Sequence, residues 1–313
     1  ILDSDFSLVV NTTQVETQIA GTQQIPRVVS LGTTSSGDDR FVITFNQQGG
    51  TDRGVFRIYD FDGTNLTPVT VETDFPTPDG GNTQNREALG TMGDGSFVVI
   101  HRTGAGPGKY YADVIADDGT TIRSGIDLSS VEPSGGAYAE VTGFGNGAFA
   151  AVIQIEPTDT ASRKDVLVFV NSSGSVVDTI DIDTVGNSNS SPHISVTQDG
   201  NLLLSYNVDT DADGNKDTTF YAIYAQDGTE VQAASSDIFV AGDSDYPDFL
   251  GGAHAQPDGK IVAYYDNWNE QTFHADSFFR VFSDQPANTA PTLGGTPADA
   301  TVTEDVTTAI DLS

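Results

Sequence analysis

DGNLLLSY, residues 199–206, sets a turn signal directly before an unbroken apolar run, and four other segments repeat it: DDRFVITF (38–45), DGSFVVIH (94–101), NGAFAAVI (146–153) and DGKIVAYY (258–265). Their first apolar residues, Phe41, Phe97, Phe149, Leu202 and Ile261, stand 56, 52, 53 and 59 positions apart. A period of this length marks an array of like supersecondary units. A second apolar run follows each first one: VFRIY from Val55, YYADVI from Tyr110, VLVFV from Val166, FYAIY from Phe220 and FFRVF from Phe278. Tight turns close the first four, DFDG at Asp60, ADDG at Ala116, NSSG at Asn171 and QDG at Gln226, each with glycine where a hairpin needs positive φ.

A strand leads away from these turns, as in SVVDTIDI after Gly174, and another precedes each first run, as in IPRVVSLG from Ile25, REALGTM from Arg86, AEVTGFG from Ala139 and PHISVTQ from Pro192. Each unit therefore has four strands. The expected fold is all-β, a five-bladed β-propeller of four-stranded antiparallel blades over residues 1–285. Runs such as Phe97–Ile100 suit sheets covered on both faces. The fifth unit ends after FFRVFSD without a fourth strand, and the N-terminal segment FSLVVNT from Phe6 is placed to fill that slot and close the ring. Residues 286–313 form a Pro/Thr/Ala-rich linker and then alternate Val, Thr and acidic residues; a disordered tail is the other reading.

Asp and Glu number 45 against 13 Lys and Arg, for a net charge of −32, which disfavours nucleic acid and anionic membranes as partners. The same excess suits divalent cations, calcium first, because hard cations take oxygen ligands. With no cysteine, disulfides, thiolate zinc sites and cysteine nucleophiles are excluded. No apolar stretch reaches the roughly 18 residues of a membrane helix, and ILDSDFSLVV lacks a basic signal-peptide start, so the chain reads as a mature or excised fragment.

The sharpest chemical motif is the loop Asp209, Asp211, Asp213, Gly214, Asn215, Asp217, between the second and third strands of the fourth unit. Aspartates at positions 1, 3, 5 and 9 with glycine at 6, and the Asn215 carbonyl, can wrap oxygens around one calcium ion. Phe220 stands where an EF-hand carries its bidentate glutamate, and the flanks are strands. A solvated acidic hairpin is the alternative. Asp60, Asp62, Gly63 and Asn65 read first as a hairpin turn and second as a metal loop; Asp243, Asp245 and Asp248 form a third acidic group.

In a propeller, the segments entering the innermost strands share one face with the loops joining second and third strands. Arg27, Arg86 with Glu87, Tyr138 with Glu140, His193, and Tyr246 with Asp248 occupy such entry segments and are expected to ring the channel mouth as ligand-binding residues. The segment Asp266–Glu270 adds Trp268, the only tryptophan, expected in a polar crossover loop as a stacking surface for a sugar beside Glu270, or else packed back onto the blade. Glu87, Glu140 and Asp248 are the candidate catalytic carboxylates for glycoside hydrolysis, which needs an acid and a base flanking the bond. No nucleophile elbow occurs, and His101, His193, His254 and His274 lack metal-ligand spacing. GAGPG at Gly104 joins two strands and opens no helix, so it is a loop and not a phosphate cradle.

NTAPTL followed by ATVTEDV resembles the opening of the cadherin-like or immunoglobulin-like repeats of giant bacterial adhesins and repeats-in-toxin proteins. Over residues 25–284 the units resemble a repeat of those secreted proteins, of the form DGGFVVxW, a Gly/Asp-rich loop, YxxxF and a DG turn; DGNLLLSYNVDTDADGNKDTTFYAIYAQDG matches best. That resemblance implies a secreted or bacterial cell-surface setting within a larger parent chain, and it supplies no activity. In blade count and rim position the chain also resembles five-bladed propeller hydrolases. Three functions therefore stand open: a calcium-supported, lectin-like or adhesive module with a glycan or surface polymer as partner, a glycoside hydrolase-like enzyme, and a structural spacer.

Overall fold

The computed structural model describes residues 22–48, 53–75, 83–103, 109–128, 139–155, 164–182, 192–208, 218–235, 249–256, 258–269 and 274–283. Every element among them is a strand, and none of these residues belongs to a helix long and apolar enough to cross a membrane. The first sheet holds β1 (Thr22–Thr33), β2 (Asp39–Gln48), β3 (Arg53–Phe61), β4 (Leu66–Pro68) and β5 (Thr73–Asp74). The second holds β6 (Thr83–Thr91), β7 (Phe97–Thr103), β8 (Lys109–Ile115) and β9 (Thr121–Asp127). The third holds β10 (Ala139–Gly143), β11 (Phe149–Ile155), β12 (Lys164–Val170) and β13 (Val176–Asp181). The fourth holds β14 (His193–Val196), β15 (Leu202–Val208), β16 (Thr218–Tyr224) and β17 (Glu230–Ser235), and the fifth β18 (Phe249–Ala255), β19 (Lys260–Asn269) and β20 (His274–Ser283).

Each sheet is an antiparallel meander in chain order. The second, third and fourth have the four strands expected. In the first the fourth strand is split, β4 and β5 both pairing with β3, because the chain steps away after Pro68 and the Thr70 hydroxyl replaces a ladder carbonyl as acceptor for Ile58 N–H at 3.0 Å. The fifth shows three strands; the segment from Phe6 expected to complete it, and residues 286–313, lie outside the described residues.

One hydrogen-bond frame makes all five turns between first and second strands. Met92 N–H donates to Ser96 O (2.9 Å), Phe144 to Ala148 (2.8 Å), Thr197 to Asn201 (2.8 Å), Gln256 to Lys260 (2.6 Å) and Thr34 to Asp38 (2.8 Å). In each turn the residue before the closing carbonyl is a glycine at positive φ: Gly95, Gly147, Gly200, Gly259 and Gly37. The first unit thereby corrects the sequence alignment. Its turn glycine is Gly37, so Asp39, and not Phe41, holds the place of Phe97. The Asp or Asn beside the glycine works locally, its side-chain oxygen accepting the N–H two residues on, as in Asp94 to Ser96 (3.0 Å) and Asn146 to Ala148 (3.0 Å).

Two compact units divide the chain, residues 1–182 with 226–228, and residues 183–225 with 229–313. In the first unit, Val42, Phe56 and Ile58 of the first sheet pack on Phe97, Val99 and Ile115 of the second. Val98, Ile100 and Val114 on the opposite face of that second sheet pack with Ala151, Val166 and Val168 of the third. β11 and β12 are buried on both faces, whereas β13 alternates half-buried and exposed residues, as an outer strand should. The inner strands β6 and β10 meet at glycines: a Cβ on Gly90 would lie 2.3 Å from Val141 O, and one on Gly143 2.5 Å from Met92 Cα.

Arginines fasten the turn ends of neighbouring sheets. Arg40 on β2 bonds Asp60 (2.7 and 2.9 Å) and reaches Asp117 in the turn after β8 (2.7 Å), and the Asp60 hydrogen bond holds its proton more tightly than usual. Arg123 on β9 donates to the carbonyls of Gly147 (2.6 Å) and Ser172 in the third sheet. In the second unit, Leu203, Tyr221 and Ile223 pack against Ala253, Ala255, Ile261 and Ala263. There Ser205 and Ser195 hydroxyls accept the N–H groups of Ala253 and Ala255, both at 2.8 Å, satisfying edge amides of β18 that no neighbouring strand reaches.

Candidate functional site

In a meander the connections alternate ends. The turns just described lie at one end, and the first residues of each first strand lie at the other, the entry end, with the last residues of each second strand. Seven residues beyond the turn glycine the second strand reaches the entry end, and every unit carries a polar residue there: Thr44, Arg102, Gln154, Asn207 and Asp266. Thr44 is fully buried, and Asn207, only 1% exposed, takes a 2.6 Å hydrogen bond from the Thr219 hydroxyl, its ladder partner on β16.

The richest of these places is the seam between the first two sheets. Arg27, Thr44 and Phe56 lie in one row across β1, β2 and β3, and Asn46 follows Thr44 on the same face, the one whose Val42 and Ile58 pack on the second sheet. The Nε of Arg27, the Thr44 hydroxyl and both polar atoms of the Asn46 amide are buried without a hydrogen-bond partner. Asn46 is 2% exposed. From the second sheet comes His101, its ring parallel to Phe75 at 6.2 Å, while Phe75 stacks on Phe56 at 5.5 Å. His101 Nε2 donates to Asp113 Oδ2 at 2.8 Å, and Gly125 N–H donates to Asp113 Oδ1 at 2.8 Å. A carboxylate only accepts, so the imidazole proton sits on Nε2 and Nδ1 is left a bare acceptor. His101 and Asp113 are bonded to one another and, through Gly125, to β9, so this pair pins the seam.

Of the expected rim residues, Arg27, Glu140 and His193 are described and half-buried, each at the entry end of an inner strand. His193 lies 6.0 Å from the Tyr264 ring and so close over Gly252 that a Cβ there would come within 2.6 Å of its Cδ2. Arg86 and Glu87 are placed at the entry end of β6 by its backbone, their side chains lying outside the described residues. Tyr138, Tyr246, Asp248 and Glu270 lie outside them altogether, as do Asp243, Asp245 and the calcium-loop residues Asp209, Asp211, Asp213, Asn215 and Asp217. Among the described residues no group of His, Asp or Glu is arranged to hold a metal.

One expectation is revised, and the first reading of the Asp60–Asn65 segment holds. Trp268 belongs to a strand and not to a loop: β19 and β20 stay paired through Trp268–Ala275 and Asn269–His274, since an antiparallel hairpin continues as long as backbone groups find partners, polar side chains or not. The Asp60–Asn65 segment is a hairpin turn. Asp62 accepts the N–H of Asn65 (2.6 Å) and Thr64 (2.8 Å), bonds that hold its carboxyl below the usual range, and Asp60 is paired with Arg40. The sequence reading missed Thr44, Asn46, His101 and Asp113. For Thr44 alone a signal was available, a polar residue interrupting an apolar run at a constant offset from the turn glycine.

No family model matches the sequence, and no curated protein does. Among solved structures, an alpha-L-arabinanase from Penicillium chrysogenum complexed with arabinobiose overlaps 83% of this chain and 77% of its own at 10% identity and TM-score 0.48. An ulvan lyase, a polysaccharide lyase, overlaps 80% and 68% at 11% identity and TM-score 0.46. A glycoside hydrolase from Parabacteroides distasonis overlaps 82% and 86% at 12% identity and TM-score 0.37. At this identity and overlap none carries a residue correspondence onto this chain.

Proposed function

We propose that the chain is a β-propeller that binds a polysaccharide at the entry ends of its strands and cleaves a glycosidic bond there. The observation that carries the reading is the polar residue at the same offset in all five units, Thr44, Arg102, Gln154, Asn207 and Asp266, set on strands and not on loops. Repeated hydrogen-bonding groups on rigid elements suit a ligand that is itself a chain of hydroxyls. The structural neighbours named above act on glycans, which sets the class of polymer to test.

Glu140 on β10 and Glu87 on β6 are the proposed acid and base. They stand at the entry ends of adjacent inner strands that meet at Gly90 and Gly143. One carboxylic acid would protonate the departing glycosidic oxygen as the C–O bond breaks, while the other takes a proton from the attacking water. Asp248 is the third candidate. The second reading is an adhesive, secreted or surface module whose Asp209–Asp217 loop binds calcium and whose Arg27, Arg86, Tyr138, His193, Tyr246, Trp268 and Glu270 contact the polymer; the spacing of the calcium loop favours it.

Incubating the purified chain with arabinans, mannans and uronate-containing polysaccharides, with and without calcium, and assaying new chain ends tests both. Cleavage that falls by roughly a hundredfold or more in Glu140→Gln and Glu87→Gln supports the enzyme. Binding that needs calcium and leaves the polymer intact moves the adhesive reading forward. Absence of both binding and cleavage with every glycan overturns the proposal.

A further inference from the structure

We infer that the entry end of the seam between the first two sheets is a subsite for the carboxylate of an acidic sugar, with Arg27 taking the carboxylate and Thr44 and Asn46 the neighbouring hydroxyls. The inference rests on the glycan reading above and adds to it the charge of the ligand.

Four other described arginines show the contrast with Arg27, while Arg102 shares with it a buried Nε that makes no hydrogen bond. In a molecule with 45 acidic and 13 basic residues, an arginine finds a carboxylate or carbonyl readily. Arg40 holds Asp60 and Asp117, Arg53 holds Glu72 and Asp74, Arg57 lies over the Tyr59 ring and bonds Thr70 O, and Arg123 holds carbonyls of the third sheet. Arg27 has no carboxylate within ion-pair distance among the described residues, and its Nε is buried without a partner. The row it shares with Thr44, and Asn46 next along, brings a hydroxyl and a complete primary amide, equally without partners and almost wholly buried.

Leaving several hydrogen-bonding groups buried and unmade in one place costs stability, so the groups call for a ligand that satisfies them together. The set defines that ligand. A guanidinium edge offers two parallel donors, which matches the two oxygens of a carboxylate. An amide both donates and accepts, as a pair of vicinal hydroxyls does, and a threonine hydroxyl serves either role. The formal charge of −32 repels densely charged polymers, so a single carboxylate on an otherwise neutral ring suits the site better than a polysulfate.

The test is calorimetric titration of the full chain with three probes of one length: a galacturonate oligosaccharide, its methyl ester, and a neutral galactose oligosaccharide. A sulfated galactose oligosaccharide is the fourth arm. The wild type is expected to bind the acid at least about tenfold more tightly than the ester, the scale of a charge-assisted pair. Arg27→Gln should bring acid and ester within about threefold of one another, weakening the acid more than the ester or the neutral oligosaccharide. Asn46→Leu should weaken acid and ester alike, and its melting temperature reports whether it is folded. Equal binding of acid and ester by the wild type, or a preference that survives Arg27→Gln, overturns the subsite and leaves the glycan reading in place. A stronger preference for the sulfated oligosaccharide overturns the carboxylate assignment. Failure of every glycan to bind overturns both.

Discussion

At the turn end of the second sheet, Met92 N–H reaches Ser96 O and the Asp94 carboxylate takes both the N–H and the hydroxyl of Ser96. At the entry end of the first, Asn46 is buried more deeply than Asp94, and neither atom of its amide is bonded. The difference runs through the molecule. Turn ends are tied by repeated backbone frames, Asp and Asn acceptors, bridging arginines and inner strands in contact at glycine. Entry ends carry the polar groups that fixed turns have no use for. One end defines the sheets, and at the seam of the first two the other holds buried polar groups without hydrogen bonds.

Three changes break or sharpen that contrast. The largest effect belongs to Gly143→Ala, whose new methyl meets Met92 Cα at 2.5 Å and Thr91 O at 2.6 Å, backbone atoms that cannot step aside. Unfolding in urea should show a loss of about 3 kcal/mol or more. Gly145→Ala, two residues on and open to within 4 Å, should cost less than about 0.5 kcal/mol. Equal effects would mean the inner strands do not approach as described.

Intermediate effects, of opposite sign, come from one substitution made at two places. Thr219→Val removes the hydroxyl bonded to Asn207 in a buried site and should destabilise by about 1–3 kcal/mol. Thr44→Val removes a buried hydroxyl without a partner, so thermal melts should show no loss and a gain of up to about 1 kcal/mol. A matching loss for Thr44→Val would show that its hydroxyl is already satisfied.

The smallest effect is that of pH on the turn end. Asp62 and Asp118 are held below the usual carboxylate range, chiefly by the backbone N–H groups of Asn65 and Thr120 respectively. A depressed folded value adds stability above the unfolded value of about 4, and that contribution is lost as pH falls through the folded one. Asn fills the same turn role at Asn146 and Asn171 without titrating. Melting temperatures of Asp62→Asn and Asp118→Asn should therefore fall slightly less than wild type between pH 5 and pH 2, and a parallel fall would remove these carboxylates from the account.

The turn end was legible in the sequence because its causes are local: a glycine free to take positive φ and an acceptor two residues before the N–H it binds. Meander order and the doubly covered strands followed from the spacing. The seam was not legible, since whether Thr44 or Asn46 finds a partner depends on Phe75, Phe97 and His101, which lie some 30 to 55 positions away and reach it only through packing. Trp268 was misplaced for a related reason. Its polar neighbours resemble a loop, while the pairing that holds them belongs to β20.

The fixed turn frame also bears on how such a chain diversifies. From one turn glycine to the next first-strand turn glycine the intervals are unequal, Gly37, Gly95, Gly147, Gly200, Gly259, although the turns themselves share one geometry. Part of that variation falls within the sheets, in the split fourth strand of the first and in the register shifts of several ladders, and the rest in the connections. Insertions and deletions in the connections leave ladder register untouched, so loops can change length while the scaffold beneath them stays in phase.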